Sequence, residues 1–271
     1  MATWFITGCS TGFGRALAEA VLADGHNTAI TARQPEQLAD LEERYSGRVL
    51  ALALDVTVRD QIGAAARATL ERFGWVDVVV NNAGYGYRAA VEEATPEEIQ
   101  RLFATNFHGP VDVMKAFLPA MRERRAGMIV NISSMGARTH YPASGYYAAT
   151  KAALEAATGS LAKEVAPLGI KAMIVEPGSF RTDFSSRSIT EGAIRISDYD
   201  ETAGKRRGTT SGTQPGDPTK AARAIITAVE SENPPRLLLL GPDSYKNVHA
   251  ALQADLAEIE PWRGLSCGTD F

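Results

Sequence analysis

The stretch TWFITGCSTGFGRALAEA, residues 3–20, decides how the chain folds. An apolar run over 4–7 stops at a glycine-rich turn, and apolar residues then recur at helical spacing over 15–23. The turn holds Gly8, Gly12 and Gly14 in the spacing G-x-x-x-G-x-G, with Ser10, Thr11 and Phe13 between them. Glycines let a backbone turn tightly and approach a pyrophosphate, and the helix that follows offers unpaired N–H groups at the positive end of its dipole. A glycine-rich turn without a ligand has the same composition. The strand–turn–helix context favours a nucleotide-binding loop built from these six residues.

Working outward, short apolar runs alternate with longer amphipathic ones. Strands are predicted over 4–7, 27–31, 49–54, 76–80, 128–132, 171–175 and 237–240. Several are almost continuously apolar, as strands covered on both faces of a parallel sheet must be. Helices are predicted over 15–23, 35–45, 58–73, 147–164 and 247–258, and another after Thr95, where Pro96 and Glu98 complete an N-terminal capping pattern. This alternation predicts an α/β fold: one Rossmann-like domain over 1–271, a doubly wound parallel sheet of about seven strands with helices on both faces. The 271 residues suit one such domain. The polar segment 185–219, rich in Gly, Ser and Thr, breaks the rhythm and reads as a substrate lid, and 242–271 reads as a C-terminal extension.

Composition excludes several classes. A net charge of −4 argues against nucleic acid or an anionic membrane as partner. No apolar run is long enough to span a bilayer. Two cysteines, Cys9 and Cys267, make no secreted disulfide framework, so a cytoplasmic setting is expected. The histidines His26, His108, His140 and His249 have no metal-ligand spacing, and no catalytic metal is expected.

The end of the second predicted strand bears on the cofactor. Dinucleotide folds that prefer NAD place an acidic residue there for the ribose hydroxyls. Here Ala32 stands in that place and Arg33 follows, and a guanidinium suits a 2′-phosphate. NADP is therefore expected over NAD.

TGCSTGFG, NNAG at 81–84, Asn106 in ATNFHG, NISS at 131–134, YYAATK at 146–151 and EPGSFRT at 176–182 follow one another in the order of the short-chain dehydrogenase/reductase family, which the chain resembles from its first strand to about Leu240. The region around Glu176 and the ending GLSCGTDF look like the branch near retinol and hydroxysteroid dehydrogenases. The resemblance implies a catalytic set of Asn106, Ser134, Tyr147 and Lys151. In the family the reactive tyrosine precedes the lysine by four residues, which Tyr147 satisfies and Tyr146 does not; residues four apart share a helix face. The adjacent ammonium is expected to bring the phenol down toward neutrality. The resemblance further places Asp55 and Val56 at adenine, and Asn82, Ala83 and Gly84 along the cofactor. Pro177, Gly178, Phe180 and Thr182 fall at its nicotinamide end, with Lys151 on the ribose.

The reaction implied is NADP(H)-dependent interconversion of a carbonyl and a secondary alcohol. The lining expected from Tyr85, Tyr87, Tyr141, Phe180 and Phe184, with His140 beside it, suggests a fairly apolar substrate; Arg181 and the GKRRG segment would instead suit an anion. A dimer or tetramer is implied, through the small-residue face of Ala152, Ala156 and Gly159. A nucleotide-sensing scaffold on the same fold is the alternative, and filled catalytic positions weigh against it. A sugar-nucleotide epimerase or dehydratase ranks lower on chain length and glycine spacing.

Overall fold

The computed structural model describes residues 1–182, 184, 188–207 and 213–271. Seven parallel strands form the sheet: β1 (Thr3–Ile6), β2 (Asn27–Ala32), β3 (Val49–Ala53), β4 (Val78–Asn81), β6 (Gly127–Ile132), β7 (Ile170–Pro177) and β9 (Leu237–Leu240). Their order across the sheet is β3-β2-β1-β4-β6-β7-β9. The chain winds outward from β1 to β3, then crosses back to pair β4 with β1, Phe5 opposite Val79. The reversal opens a crevice between the carboxyl ends of β1 and β4, where sheets of this kind take their ligands.

Alternation along each strand feeds two cores. Trp4 and Ile6 of β1, with Val78 and Val80 of β4, pack under α1 (Gly12–Ala23) and α8 (Pro218–Glu230). Phe5 and Val79 point the other way, toward α3 (Arg59–Phe73), α5 (Gly109–Arg124) and the end of α7 (Gly145–Val165). Phe5 meets Phe117 of α5 with ring centroids 4.6 Å apart.

The elements differ from the sequence expectation in a few places. The fourth strand starts at Val78, two residues later than expected, and ends at Asn81. Residues 35–38 form a tight turn of helix before the short α2 (Ala39–Arg44). The helix α4 (Pro96–Phe103) has its capping box, with Thr95 Oγ1 accepting from the Glu98 main chain at 3.3 Å. It runs into α5 through one wide turn at Ala104–His108. A second small sheet pairs β5 (Gly86–Arg88) with β8 (Ile189–Glu191), Gly86 opposite Ile189. The expected lid lies partly outside the described residues. Its described part holds β8 and a one-turn helix at Lys205–Arg207, and is tied to the body through buried Glu93, which accepts from the Ile196 main chain and pairs with Arg207. The extension forms α9 (Pro242–Ile259), and every residue from 252 on is exposed. No helix among the described residues is long and apolar enough to cross a membrane. Cys9 is buried and Cys267 exposed, both free thiols.

Candidate active site

The carboxyl ends of β1, β4, β6 and β7 open into one cleft of about 930 Å3. The glycine loop forms one wall. Gly8 and Gly12 take φ of 72° and 61°, a left-handed backbone that a side chain would strain. Gly14 has another reason to be glycine: a Cβ there would sit 2.2 Å from the Gly8 carbonyl oxygen and 2.4 Å from Asn82 Nδ2. The loop is clasped from behind. Asn82 donates through Nδ2 to the carbonyls of Thr7 (2.9 Å) and Gly8 (3.0 Å), and Thr7 Oγ1 accepts from the Asn82 and Ala83 main chains.

Ser10, Thr11, Gly12 and Phe13 line the cleft. Thr11, the residue before α1, makes no side-chain cap, and the first turn of α1 carries no acidic residue. Bare N–H groups, a positive dipole end and a cradle that admits no side chain fit a pyrophosphate. Along the same wall lie Ala32, exposed Arg33, Asp55 and Val56. Arg15, at the start of α1, is tied instead to Glu19 and Asp40. The Asp55 carboxylate is fixed by the Thr57 main chain (2.9 Å) and hydroxyl (2.7 Å). On the opposite wall Phe180 packs edge-on against Phe13, with centroids 4.9 Å apart. Thr182 lies over Gly12, whose Cβ would come 3.5 Å from it, and Pro177 and Gly178 complete that wall.

At the centre α7 presents Tyr147 and Lys151 on one face. Tyr147 is partly accessible from the cleft and lies beside Ser134: a Cβ on Gly136 would be 3.3 Å from Ser134 Oγ and 3.8 Å from Tyr147 Cε1. Ser134 Oγ accepts from the Gly136 main chain at 3.1 Å, which fixes it just after β6. Lys151 is 5% exposed, and its Nζ donates to the Ile132 carbonyl (2.8 Å) and stands 5.9 Å from the Tyr147 ring centroid. Tyr146 packs beside Tyr87 and Leu102 and donates to the Val91 carbonyl at 3.1 Å. Ser133 points away from the cleft centre, to Glu155.

The electrostatics depart from expectation. Burial pushes the Tyr147 phenol up to about 12, with the neighbouring Ser134 side chain acting against it. Burial also brings Lys151 down to about 8, partly opposed by the Glu155 carboxylate. Desolvation is the largest cause of both shifts, so the polypeptide holds a protonated phenol beside a readily titrated amine. Such a phenol is a proton donor.

Three predicted residues sit elsewhere than in the lining. Asn106 is fully buried behind the cleft in the wide turn, and its amide donates to and accepts from the Tyr85 main chain at 2.9 and 3.0 Å. It lies close to Lys151 all the same: a Cβ on Gly84 would be 3.1 Å from Asn106 Oδ1 and 3.5 Å from Lys151 Nζ. Gly14 is packed behind the loop. His140 is exposed on a left-handed backbone, φ 46°, outside the cleft lining. Tyr85, Tyr87, Tyr141 and Phe184 do line the cleft, with the Phe184 ring 6.1 Å from Tyr147. Arg88 and Arg206 also line it, and Arg206 stacks over Tyr141 at 4.3 Å. Arg88 carried no sequence signal, since only the β5–β8 pairing brings it there.

The pattern described as short chain dehydrogenase matches residues 2–192. The chain belongs to the short-chain dehydrogenase family. As a whole the dehydrogenase is similar to oxidoreductase BOA17 of Botryotinia fuckeliana, 38% identical over 267 residues and covering 97% of each chain. Its fold matches a short-chain dehydrogenase from Streptomyces avermitilis with a TM-score of 0.95 and 44% identity, over 100% of this chain and 99% of that one. An alcohol dehydrogenase from Thermococcus sibiricus complexed with 5-hydroxy-NADP aligns with a TM-score of 0.72 and 28% identity, over 89% of this dehydrogenase and 96% of that chain.

Proposed function

We propose that this oxidoreductase uses NADP(H) to interconvert a carbonyl and a secondary alcohol on a fairly apolar small molecule. The observation that carries the reading is the neighbouring Ser134 and Tyr147 side chains, with Lys151 one helical turn on, opening into the same cleft as the bare glycine loop. The nicotinamide, when bound, supplies the hydride. The protein does the rest. Tyr147 gives its phenolic proton to the carbonyl oxygen, and Ser134 orients that oxygen. Lys151, at the foot of the same helix face, stabilises the phenolate left behind and favours its reprotonation. Asn106 shapes the main chain at Tyr85 beside the lysine.

Arg33 beside Ala32 supports the phosphorylated cofactor, and the Thermococcus relative carries a derivative of it. The ring-rich end formed by Tyr85, Tyr87, Tyr141 and Phe184 supports an apolar or aromatic substrate. A cytoplasmic homodimer or homotetramer, using the exposed Ala152 and Ala156 of α7, belongs to the same reading. The test is a fluorescence titration with NADPH and with NADH, on the native chain and on Arg33→Glu. Tight NADPH binding that the substitution weakens at least tenfold, with NADH affected less, is the expected result. Equal binding of both nucleotides would overturn the assignment to Arg33. Binding of neither would remove the oxidoreductase reading.

A further inference from the structure

Behind the cleft, α7 carries a third ionisable group in step with the first two. Tyr147, Lys151 and Glu155 are four residues apart and share one face of the helix. Each meets a different one of three consecutive residues where β6 ends. Lys151 Nζ donates to the Ile132 carbonyl at 2.8 Å, the Ser133 hydroxyl donates to Glu155 Oε1 at 2.5 Å, and Tyr147 lies beside Ser134. Glu155 thus grips the residue next to Ser134 from the side the substrate does not reach.

Its second oxygen is held as well. Arg138, on the short helix α6 (Gly136–Thr139), donates Nη2 to Glu155 Oε2 at 2.8 Å and Nε to Glu176 Oε1 at 2.7 Å. Glu176 is fully buried in β7, and its Oε2 has no hydrogen-bond partner among the described residues. From α9, Ser244 donates to the Glu176 main-chain carbonyl at 2.8 Å. The charged and titratable groups around Glu155 are therefore Lys151 on its own helix, Arg138 from α6 and Glu176 from β7. Two buried carboxyls share one guanidinium, so a second negative charge there lacks its own cation. Burial and the nearby Glu176 push Glu155 up from the ordinary carboxylate range, while its charge, once formed, favours the Lys151 ammonium. Glu155, Arg138 and Glu176 do not line the cleft.

We propose that Glu155 is a positioning residue of the active site: through Ser133 and Arg138 it fixes the strand end that presents Ser134, and its carboxylate sustains the ammonium of Lys151 from behind. What the lysine and serine then do rests on the oxidoreductase reading. The two roles separate by substitution. Glu155→Gln keeps an acceptor for Ser133 and loses the charge. Glu155→Asp keeps the charge and withdraws it from Ser133.

The experiment is a pH titration of Lys151 by NMR in protein labelled at lysine 13Cε, the signal being assigned by its loss in Lys151→Met. Alongside it, kcat for NADPH-dependent reduction of an aryl ketone and the Kd for NADPH are measured on each folded variant. The expected Lys151 midpoint falls by about one pH unit in Glu155→Gln and stays near the native value in Glu155→Asp. The expected kcat near pH 6 stays within about threefold of native in Glu155→Gln and drops about tenfold or more in Glu155→Asp, with Kd for NADPH unchanged in both. An unmoved midpoint in Glu155→Gln, or equal kcat losses in the two variants, would overturn the proposal. If the native chain binds NADPH but reduces no ketone, the oxidoreductase reading fails, and the lysine midpoint alone then decides the role of Glu155.

Discussion

Tyr146 and Tyr147 are neighbours in the chain and end on different sides of a helix, one sealed against Leu102 and the other facing the cleft. That difference follows from helical geometry, which advances about 100° per residue. Replacing Tyr147 by Phe removes only the proton donor. Turnover is expected to fall about 10²–10⁴-fold while NADPH binding stays at the native Kd, measured by steady-state kinetics and fluorescence titration. The state of Lys151 sets a second expectation. Its ammonium persists below about 8 and is lost above it, whereas Tyr147 stays protonated up to about 12. Ketone reduction should therefore hold steady below about pH 8 and decline as pH rises through that value, because the cation that stabilises the phenolate left on Tyr147 is gone while the donor remains. A pH–kcat profile reads this directly, and a rate that climbs through that range would contradict it. At this scale the sequence exposed the tyrosine, lysine and serine because their spacing is local. It missed that the Asn82 amide holds the glycine loop, since that contact spans more than 70 residues of chain.

The glycine loop and the helix after it behave as one element. Gly14→Ala forces a methyl group into the Gly8 carbonyl and the Asn82 amide, so it should both weaken NADPH binding by at least tenfold and destabilise the fold by about 1–3 kcal/mol. Gly47→Ala is the opposite case: its φ of 87° strains a side chain but nothing lies within 4 Å, and it should cost about 1 kcal/mol without touching NADPH affinity. Denaturant melts and nucleotide titration of both variants separate crowding from strain. The central strands were readable as apolar runs because both faces are covered. The β5–β8 pair was not, because three-residue strands carry too little pattern and pair only once distant segments meet. The wide turn at Ala104–His108 was hidden for a related reason: its i→i+5 geometry lies inside a continuous helix, and composition does not mark it.

Across the whole molecule, stability resides in the two cores on either side of the sheet, and the chain beyond residue 251 adds little to them. Leu256, Ile259, Trp262 and Leu265 are each more than 60% exposed. A chain ending at Ala251 keeps Val248, which is fully buried, and should melt within about 2 °C of the full length by circular dichroism. A much larger drop would mean that the tail is covered in solution. The doubly wound sheet of about seven strands was legible from strand–helix alternation, while the exposure of the tail's apolar residues was not, because an apolar residue in the sequence does not say what covers it. The tail also carries the exposed Cys267, whereas Cys9 is sealed in the glycine loop, points its thiol at the Ile6 carbonyl 3.2 Å away and is raised to about 12 by burial. The two thiols thus differ in reach rather than in kind. A maleimide added to the native chain should react once, at the tail, and a second equivalent should be consumed only when the sheet opens around its first strand. The unaltered sequence is in that sense its own unfolding clock, read by mass from the interval between the first label and the second.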